Sequence, residues 1–541
     1  MKIAMDELVK RLGNPGKCQL FLYVLLGLNY FPVVTNHLLM AVLGSKIPFH
    51  CDEDRSNGYS MANITSQSQN TCEVPSKGTH NGTTNQTQDC TTGWVYDTSE
   101  VTIVTEWDLV CQHKHLVSLS TTVYFCGVML GGLIFGFLSD YFGRKPFILF
   151  TLYSNFAVGI GMFFVPSYAV FTSLRFVQGA LMQGLQTTSY AMVMELFSPA
   201  HRAYVGAALE LFWGCSYIIL ALIWYLIQDW RYIQLAITLP SALTITYIWL
   251  LPESFRWLLL KNKFQAADNV INRIVKWNKI PYPEDSVTLV KSQIKAMSDN
   301  HTVSYTVVDL FKTPVIRRRS LILFYNWFAT ALGYYGLSLS FTQLAGNKFL
   351  IFFISGVVEL PAYMASIYIL NRFGRRKPMA GFFILCGITC IGAGMIHSKD
   401  ASLQNLSLAL SLIGKFSTAG LFSVVFLYTA ELYPTVIRNV GCGACAFWMR
   451  AAGVAAPQIL RLGFVTFKQL PTIIFGGVAL VGGALTLTLS ETLNKKLPDK
   501  IEDVEDVADL EMEEVKASSE RGDAGMPLKV SPDHEVDSNG I

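Results

Sequence analysis

Charged side chains are scarce in this chain: Asp, Glu, Lys and Arg make up 15% of its residues, whereas 51% of the residues are hydrophobic. A soluble chain of 541 residues needs more charge to cover its surface, so a protein with many membrane spans is the expected class. The sequence also lacks the GxxxxGK[ST] phosphate loop and the HExxH zinc motif, and no hydrolytic triad can be assembled. An enzyme is therefore not predicted, nor is a metal site, a resident cofactor or a nucleic-acid partner.

Twelve apolar runs in the sequence are long enough to cross roughly 30 Å of hydrocarbon as helices. They lie near residues 18–44, 117–139, 147–165, 168–196, 204–227, 231–251, 320–343, 348–370, 378–397, 404–431, 438–463 and 470–490. The predicted fold class is therefore an all-α membrane protein with twelve transmembrane helices. An even number of spans places both termini on the same side of the membrane.

Basic residues are concentrated on one side of these spans. The segment 252–319 carries twelve Lys and Arg against six Asp and Glu, and the short basic loops fall on the same side. Cytoplasmic loops of membrane proteins carry an excess of Lys and Arg. This side, and both termini with it, is therefore predicted to be cytoplasmic.

The long loop 45–116 falls on the opposite side and is predicted to be extracellular. Its three N-glycosylation sequons begin at Asn63, Asn81 and Asn85. Its four cysteines are Cys51, Cys72, Cys90 and Cys111. Glycosylation and an even number of cysteines both fit an oxidising compartment, so two disulfides are predicted, with three pairings open. The plasma membrane of a eukaryotic cell is the predicted location.

The spans divide the chain into five regions. These are a cytoplasmic N-terminus (1–17), a six-helix bundle (18–251) that includes the extracellular loop, a cytoplasmic linker (252–319), a second six-helix bundle (320–491) and an acidic tail (492–541). The linker contains an amphipathic, helix-like stretch at 264–276. The tail carries fourteen acids against six Lys and Arg, so it is predicted to be disordered. Attachment of a cytosolic scaffold to this tail is left open.

One loop sequence occurs twice, about half a chain apart. Gly136–Pro146 reads GFLSDYFGRKP, and Ile369–Pro378 reads ILNRFGRRKP. A repeat of this kind indicates two related bundles that face each other, which is typical of a transporter. Asp140 and Arg144 of the first copy are predicted to form a conformational latch with neighbouring helix ends. The second copy keeps the cation, Arg375, but has Asn371 in place of the acid, which predicts a weaker latch.

Two acids end the fourth and the tenth spans in similar surroundings. Glu195 precedes the loop cation Arg202, and Glu431 precedes Arg438 in the same way. These matching positions predict ion pairs of a cytoplasmic gate rather than contacts with a substrate.

Five segments carry a more specific resemblance. They are Thr105–Cys111, Pro252–Leu258, Tyr334–Leu339, Val358–Tyr363 and Tyr428–Asn439. Together they make the chain resemble the organic cation/carnitine/organic anion transporter family, solute carrier family 22, of the major facilitator superfamily. The resemblance runs from about residue 10 to 500 and looks closest to the organic cation/carnitine branch. It implies a major facilitator fold and alternating access around a central cavity.

Arg450 lies near the middle of the eleventh span, among small residues that leave room beside it. A charge at mid-bilayer is costly and usually faces a cavity or a partner, and a guanidinium can hold a carboxylate through two hydrogen bonds. The resemblance implies an acid at this position in carriers of plain cations, and arginine in carriers of zwitterions or anions. The alternative is an internal salt bridge, for example with Glu210 or Glu359.

Aromatic side chains are the candidates for holding an ammonium group beside Arg450. By the resemblance, the cavity positions are Tyr225, Tyr334, Tyr335, Tyr363 and Phe422, and helical proximity adds Trp213 and Trp448. Aromatic faces attract cations by roughly 0.5–2 kcal/mol each. Glu210, which is not recognised as a family feature, is predicted either to bind an amine or to neutralise Arg450.

The predicted function is therefore transport of small organic ions, either cations or zwitterions such as carnitine, by alternating access. The process is facilitative or driven by sodium or membrane potential. An organic anion exchanger that selects carboxylates through Arg450 is the first alternative, and a nontransporting sensor on the same scaffold is the second. The predicted partners are the organic ion and the lipid bilayer, and no oligomeric state is predicted.

Overall fold

The computed structural model describes most of the chain. The described residues are 2–13, 15–52, 72–75, 87–90, 93–96, 98–297, 305–343, 346–396, 400–495, 498 and 501–504. The sequons at Asn63, Asn81 and Asn85 lie outside the described residues, as does nearly all of the acidic tail.

The described structure is mainly helical. The first half contains α1 (Lys2–Arg11), α2 (Lys17–Leu28), α3 (Tyr30–Leu43), α4 (Ile103–Glu106), α5 (His115–Phe142), α6 (Arg144–Phe163), α7 (Tyr168–Leu196), α8 (Pro199–Leu226), α9 (Trp230–Thr238) and α10 (Tyr247–Leu250). The linker contains α11 (Phe255–Leu260), α12 (Phe264–Asn278) and α13 (Glu284–Met297). The second half contains α14 (Pro314–Ser340), α15 (Lys348–Phe373), α16 (Arg376–Met395), α17 (Ala401–Leu432), α18 (Arg438–Val465) and α19 (Leu470–Thr486).

Twelve helical stretches in the described part of the chain coincide with the twelve predicted spans. Eight of them are long and apolar enough to cross a membrane by length and composition alone. Helices α7, α14 and α18 are equally long but less apolar, and α19 is shorter. The amphipathic stretch predicted at 264–276 is confirmed as α12.

The first and the sixth spans are interrupted. Asn29 separates α2 from α3, and its Nδ2 donates to Ser189 Oγ on α7 at 2.9 Å. In the sixth span, α9 gives way to a 3₁₀-helix at Leu239–Thr246, where Pro240 lacks the N–H that an α-helix needs. Hydropathy, which averages over a whole span, shows neither break.

The long first loop, which the sequence predicts to be extracellular and which is called the ectodomain below, forms a small, disulfide-bonded domain. Its described strands are β1 (Phe49–Cys51), β2 (Glu73–Pro75), β3 (Thr87–Asp89) and β4 (Trp94–Tyr96). Strands β1 and β4 form one antiparallel pair, and β2 and β3 form another. Cys51 is bonded to Cys90 and Cys72 to Cys111, so both predicted disulfides are present and the pairing is determined.

The ectodomain contacts both bundles. The backbone N–H of Val101 donates to Gln228 O at 3.0 Å, and the N–H of Trp230 donates to Val101 O at 2.9 Å. Both partners lie between α8 and α9 or at the start of α9. The preceding residue, Glu100, forms an ion pair of 2.6 Å with Lys348 at the start of α15, in the second bundle. The side that carries the ectodomain is called the loop face below, and the side that carries the linker is called the linker face.

The N-terminal segment folds against the linker face. Helix α1 packs on α13, and its buried face includes Leu8 and Val9. Asp6 of α1 forms ion pairs with Arg256 at 2.8 Å and with Arg202 at 3.4 Å. Residues 2–13 and 15–17 are therefore part of the packed structure rather than a free extension.

Candidate functional site

A cavity lies between the two bundles, near the middle of the long helices. Its lining comes from α5, α7 and α8 of the first bundle and from α14, α15, α17 and α18 of the second. The lining residues are Phe125, Val128, Gln183, Gln186, Glu210, Trp213, Tyr334, Tyr335, Tyr363, Phe422, Phe426, Met449 and Arg450. Seven of the nine residues predicted to bind the substrate are in this set.

Arg450 extends from α18 across the cavity toward the first bundle. A Cβ at Gly132 of α5 would lie 2.7 Å from Arg450 Cζ, so a side chain at this position would displace the guanidinium. Within the described residues Arg450 forms no ion pair, and its Nε is buried without a hydrogen-bond partner. The internal salt bridge considered from the sequence is therefore absent from the described structure. An unpaired guanidinium in a cavity can bind a carboxylate through two parallel hydrogen bonds.

Glu359 is occupied by other partners. Its carboxylate lies 2.8 Å from Lys415 Nζ, and both side chains are fully buried. The hydroxyl groups of Tyr334 and Tyr363 donate to the same carboxylate at 2.7 and 3.0 Å. Because a buried charge is costly unless it is paired and hydrogen-bonded, these contacts explain how both charges are accommodated. They also hold the two tyrosines in fixed positions at the cavity wall.

Glu210 lines the cavity from α8, on the bundle opposite to Arg450. It is half-buried and forms no hydrogen bond or ion pair with any described residue. Of the two roles predicted for it, direct neutralisation of Arg450 is not seen.

The aromatic residues of the cavity are packed edge to face. The Tyr334 ring lies 5.4 Å from Tyr335 and 5.1 Å from Phe422, measured between centroids. Phe125 of the first bundle lies 4.8 Å from Tyr335. Trp213 Nε1 donates to the Tyr334 hydroxyl at 2.6 Å, which joins the two bundles at the cavity. These rings offer apolar contact and cation–π attraction to an organic ion.

The prediction was wrong for the placement of two aromatic residues. Tyr225 is 62% exposed and contacts Phe349, outside the cavity. It lies twelve residues beyond Trp213 on α8, or roughly 18 Å along the helix axis, which puts it near the loop face. Trp448 is 42% exposed and stacks on Phe324. It precedes Arg450 by two residues, which is roughly 200° around the helix, so it points away from the cavity.

Several lining residues were not predicted. They are Phe125, Val128, Gln183, Gln186, Phe426 and Met449. The two glutamines carry a readable signal: they are three residues apart within an apolar span, so they share one helix face. The apolar lining residues carry no such signal, because a phenylalanine that lines a cavity and one that faces lipid look alike in sequence.

At the linker face, the first copy of the repeated loop binds two acids. Arg144 Nη2 lies 3.0 Å from Glu195 Oε1, and Arg144 Nη1 also pairs with Asp140. The carboxylate of Glu253 accepts from the backbone N–H groups of Arg144 and Lys145 at 3.0 and 3.2 Å. Burial raises the pKa of Glu253 above its ordinary value despite these backbone hydrogen bonds.

The second copy repeats this arrangement. Arg375 Nε and Nη2 each lie 3.0 Å from an oxygen of Glu431, and Thr492 Oγ1 donates to the same carboxylate at 2.5 Å. Glu491 accepts from the backbone N–H groups of Arg375 and Arg376 at 2.9 and 3.1 Å. Partial burial acts to raise the pKa of Glu491, but its backbone hydrogen bonds together bring that pKa below the ordinary value.

Glycine is required in both copies of the loop. Gly143 has a φ of 115°, and a Cβ there would lie 2.6 Å from Glu253 Oε2. Gly374 has a φ of 89°, and a Cβ there would lie 2.5 Å from Glu491 Oε2. The left-handed backbone turns the following N–H groups toward the carboxylate, and a side chain would displace that carboxylate.

The partners of the gate acids differ from those predicted. Glu195 and Glu431 pair with Arg144 and Arg375 of the repeated loops. Arg202 instead pairs with Asp6 and donates to the carbonyl oxygens of Met194 and Phe197. Arg438 donates to the Tyr433 carbonyl oxygen. Both arginines lie in the first turn of a helix and reach back to carbonyl groups that precede it, which sequence proximity alone does not reveal.

The chain matches the family described as sugar (and other) transporter over residues 57–502. It is 34% identical to the organic cation transporter protein of Drosophila melanogaster over 521 residues, which cover 92% of this chain and 94% of the relative. It is 32% identical to solute carrier family 22 member 6-B of Xenopus laevis over 97% of this chain and 98% of the relative. The chain belongs to solute carrier family 22. It is also 34% identical to organic anion transporter 3 of Sus scrofa, over 92% of this chain and 93% of the relative.

Solved structures show the same fold for this family member. The inward open conformation of the xylose transporter XylE from E. coli matches with a TM-score of 0.59 at 18% identity, covering 73% of this chain and 90% of that one. A partially occluded inward open conformation of XylE matches with a TM-score of 0.58 at 17% identity, covering 71% and 90%. The chain therefore has the major facilitator fold, and its family shows that it is a transporter rather than an enzyme.

Proposed function

We propose that this transporter moves small organic ions that carry a carboxylate, with the carboxylate bound to Arg450 and the organic part held by the aromatic cavity. The single observation that supports this assignment is the guanidinium of Arg450, which faces the cavity without an ion pair among the described residues. Relatives in the family are named organic cation transporter and organic anion transporter, so both charge classes occur among similar chains.

The contacts between the bundles fit alternating access. Toward the loop face, Gln458 Nε2 of α18 donates to Thr122 Oγ1 of α5 at 2.8 Å, and Lys348 pairs with Glu100. At the linker face, the ion pairs of Arg144 and Arg375 each remain within one bundle. The loop face is therefore held closed by links across the bundles, and moving the bundles relative to each other would break those links.

The membrane, its orientation and the driving force are part of the proposal. We place the transporter in the plasma membrane with the linker face toward the cytoplasm, because the linker is rich in Lys and Arg and the ectodomain contains two disulfides. A carnitine-like substrate and coupling to sodium or membrane potential stay predictions.

Uptake by cells that express the full chain tests the role of Arg450. Radiolabelled carnitine, tetraethylammonium and glutarate represent a zwitterion, a simple cation and a dicarboxylate. We expect Arg450→Gln to reduce uptake of the carboxylate-bearing probes roughly tenfold to hundredfold, the range of a charge-assisted hydrogen bond, and to spare tetraethylammonium. Arg461→Gln is the matched control, because Arg461 is an exposed arginine on the same helix.

The three probes also separate the alternatives. Uptake of glutarate with little uptake of carnitine would support an organic anion exchanger, since the unpaired Arg450 also suits a dicarboxylate. Normal carboxylate uptake by Arg450→Gln at normal surface expression would remove Arg450 from substrate binding.

A further inference from the structure

The fixed charges of the cavity region divide into a neutral pair and two single charges. Glu359 and Lys415 neutralise each other at 2.8 Å and are fully buried. Arg450 of the second bundle and Glu210 of the first line the cavity, and neither has a hydrogen bond or an ion pair among the described residues. The cavity therefore presents one positive and one negative group, which come from opposite bundles.

Two opposite charges in one cavity would ordinarily pair with each other. Their N and O atoms are more than the 4.0 Å of an ion pair apart, since no such pair is formed between described residues. A charge that is partly removed from water and has no partner is costly. A ligand with both an ammonium and a carboxylate group can satisfy the two charges at once, whereas a plain anion satisfies Arg450 and is repelled by Glu210.

We propose that Glu210 binds the protonated amine of the substrate, so that the preferred ligand is a zwitterion whose two charged ends bridge the bundles. This inference rests on the proposed function, because it takes the carboxylate to lie on Arg450. Glu210 and Trp213 are three residues apart on α8, so the carboxylate and an aromatic ring share the helix face that lines the cavity. An ammonium group there meets a hydrogen-bond acceptor and a cation–π partner together.

A ligand that bridges the bundles also affects how the bundles are arranged. A ligand held by Glu210 on one bundle and by Arg450 on the other favours the arrangement in which the bundles approach each other around it. A ligand with one charged end contacts mainly one bundle and lacks this preference. A substrate shifts a conformational equilibrium only as far as it binds one state better, so the zwitterion is expected to be the faster substrate.

Matched ligands test this role directly. The probes are 4-aminobutyrate and 6-aminohexanoate as zwitterions, butyrate and hexanoate as the corresponding anions, and butylamine as the cation. In uptake by the full chain, we expect the wild type to prefer the zwitterions. We expect Glu210→Gln to raise KM for the zwitterions roughly tenfold or more and to leave uptake of the anions unchanged or improved. Glu284→Gln, an exposed glutamate in the linker, is the control, and Glu210→Asp should retain the preference.

The outcomes distinguish this inference from the proposed function. An unchanged ratio of zwitterion to anion uptake in Glu210→Gln, at normal surface expression, overturns the role of Glu210 and leaves Arg450 in place. Wild-type uptake of anions in preference to both zwitterions would also overturn the role of Glu210 and leave Arg450 in place. Carboxylate uptake that does not depend on Arg450 overturns the proposed function instead, whatever Glu210→Gln shows.

Discussion

Each copy of the repeated loop pairs its arginine with an acid at the end of a neighbouring helix. The two copies use different sets of acids to do so. In the first copy, Arg144 is shared between Asp140 and a single oxygen of Glu195, and the other oxygen of Glu195 is buried without a partner. In the second copy, Asn371 supplies no charge, but Arg375 contacts both oxygens of Glu431. The structure thus shows that a missing acid at the loop can be offset by better geometry at the helix end.

The comparison bears on the prediction of a weaker second latch. Asp140 is 65% exposed, so its ion pair with Arg144 is worth little in water, roughly 0–1 kcal/mol. The pair of Arg375 and Glu431 is mostly buried, with 13% and 16% of the side chains exposed. Parallel hydrogen bonds to both carboxylate oxygens are stronger than the two hydrogen bonds that Arg144 donates to one oxygen of Glu195. Counting acids by sequence therefore gives a poor measure of the strength of each latch.

The largest effect is expected from removing the contact that is made through both carboxylate oxygens. Glu431→Gln should slow maximal uptake by roughly tenfold, whereas Glu195→Gln, which alters a contact made through one carboxylate oxygen, should slow it less. Neither residue lines the cavity, so the substrate concentration for half-maximal uptake should change little. Initial uptake rates over a range of substrate concentrations give both quantities.

A shift in half-saturation without a change in maximal rate would contradict the gate assignment of Glu431. Equal slowing by both variants would contradict the difference drawn between the two latches. Surface expression of each variant provides the control for folding.

An intermediate effect is expected from the carboxylates that cap the loops. The pKa of Glu491 is lowered, so its carboxylate stabilises the fold above the ordinary pKa of a glutamate, and this contribution is lost as pH falls through the lowered pKa. The pKa of Glu253 is raised, so its contribution has the opposite pH dependence: it is present below the ordinary pKa of a glutamate and is lost as pH rises through the raised pKa. Glu491→Gln should therefore lower the Tm at neutral pH more than Glu253→Gln does.

Thermal unfolding of the purified protein at neutral and acidic pH measures this difference. The Tm gap between wild type and Glu491→Gln should shrink as the pH falls below about 4. A gap that stays constant with pH would mean that the carboxylate charge of Glu491 is not what stabilises the second loop.

The smallest effect is expected from exchanging the residues that differ between the copies. Asp140→Asn gives the first copy the residue of the second, and Asn371→Asp does the reverse. Each should change the maximal uptake rate by less than about fivefold, because an exposed ion pair contributes about 1 kcal/mol at most. A tenfold lower maximal uptake rate in Asp140→Asn would show that the first latch depends on the exposed acid. The first latch would then be the stronger of the two.

The sequence predicted the helices far better than their mutual contacts. Long apolar runs determine where spans lie, so all twelve predicted spans correspond to helical stretches in the described residues. Helical geometry alone would have excluded Trp448, which is two residues from Arg450 and on the other side of α18. The pairing of Glu359 with Lys415 was not predictable, because it depends on how α15 and α17 are rotated about their axes. Two largely apolar helices give no sequence signal for that rotation.

The placement of Glu100 between the bundles has a consequence for ligands that never enter the cavity. Val101 is hydrogen-bonded to the first bundle, so opening of the loop face has to separate Glu100 from Lys348 while the ectodomain stays with its own half. An antibody fragment that grips the ectodomain and the start of α15 together would oppose that separation. It would inhibit transport by blocking a movement, and raising the substrate concentration would not relieve the inhibition.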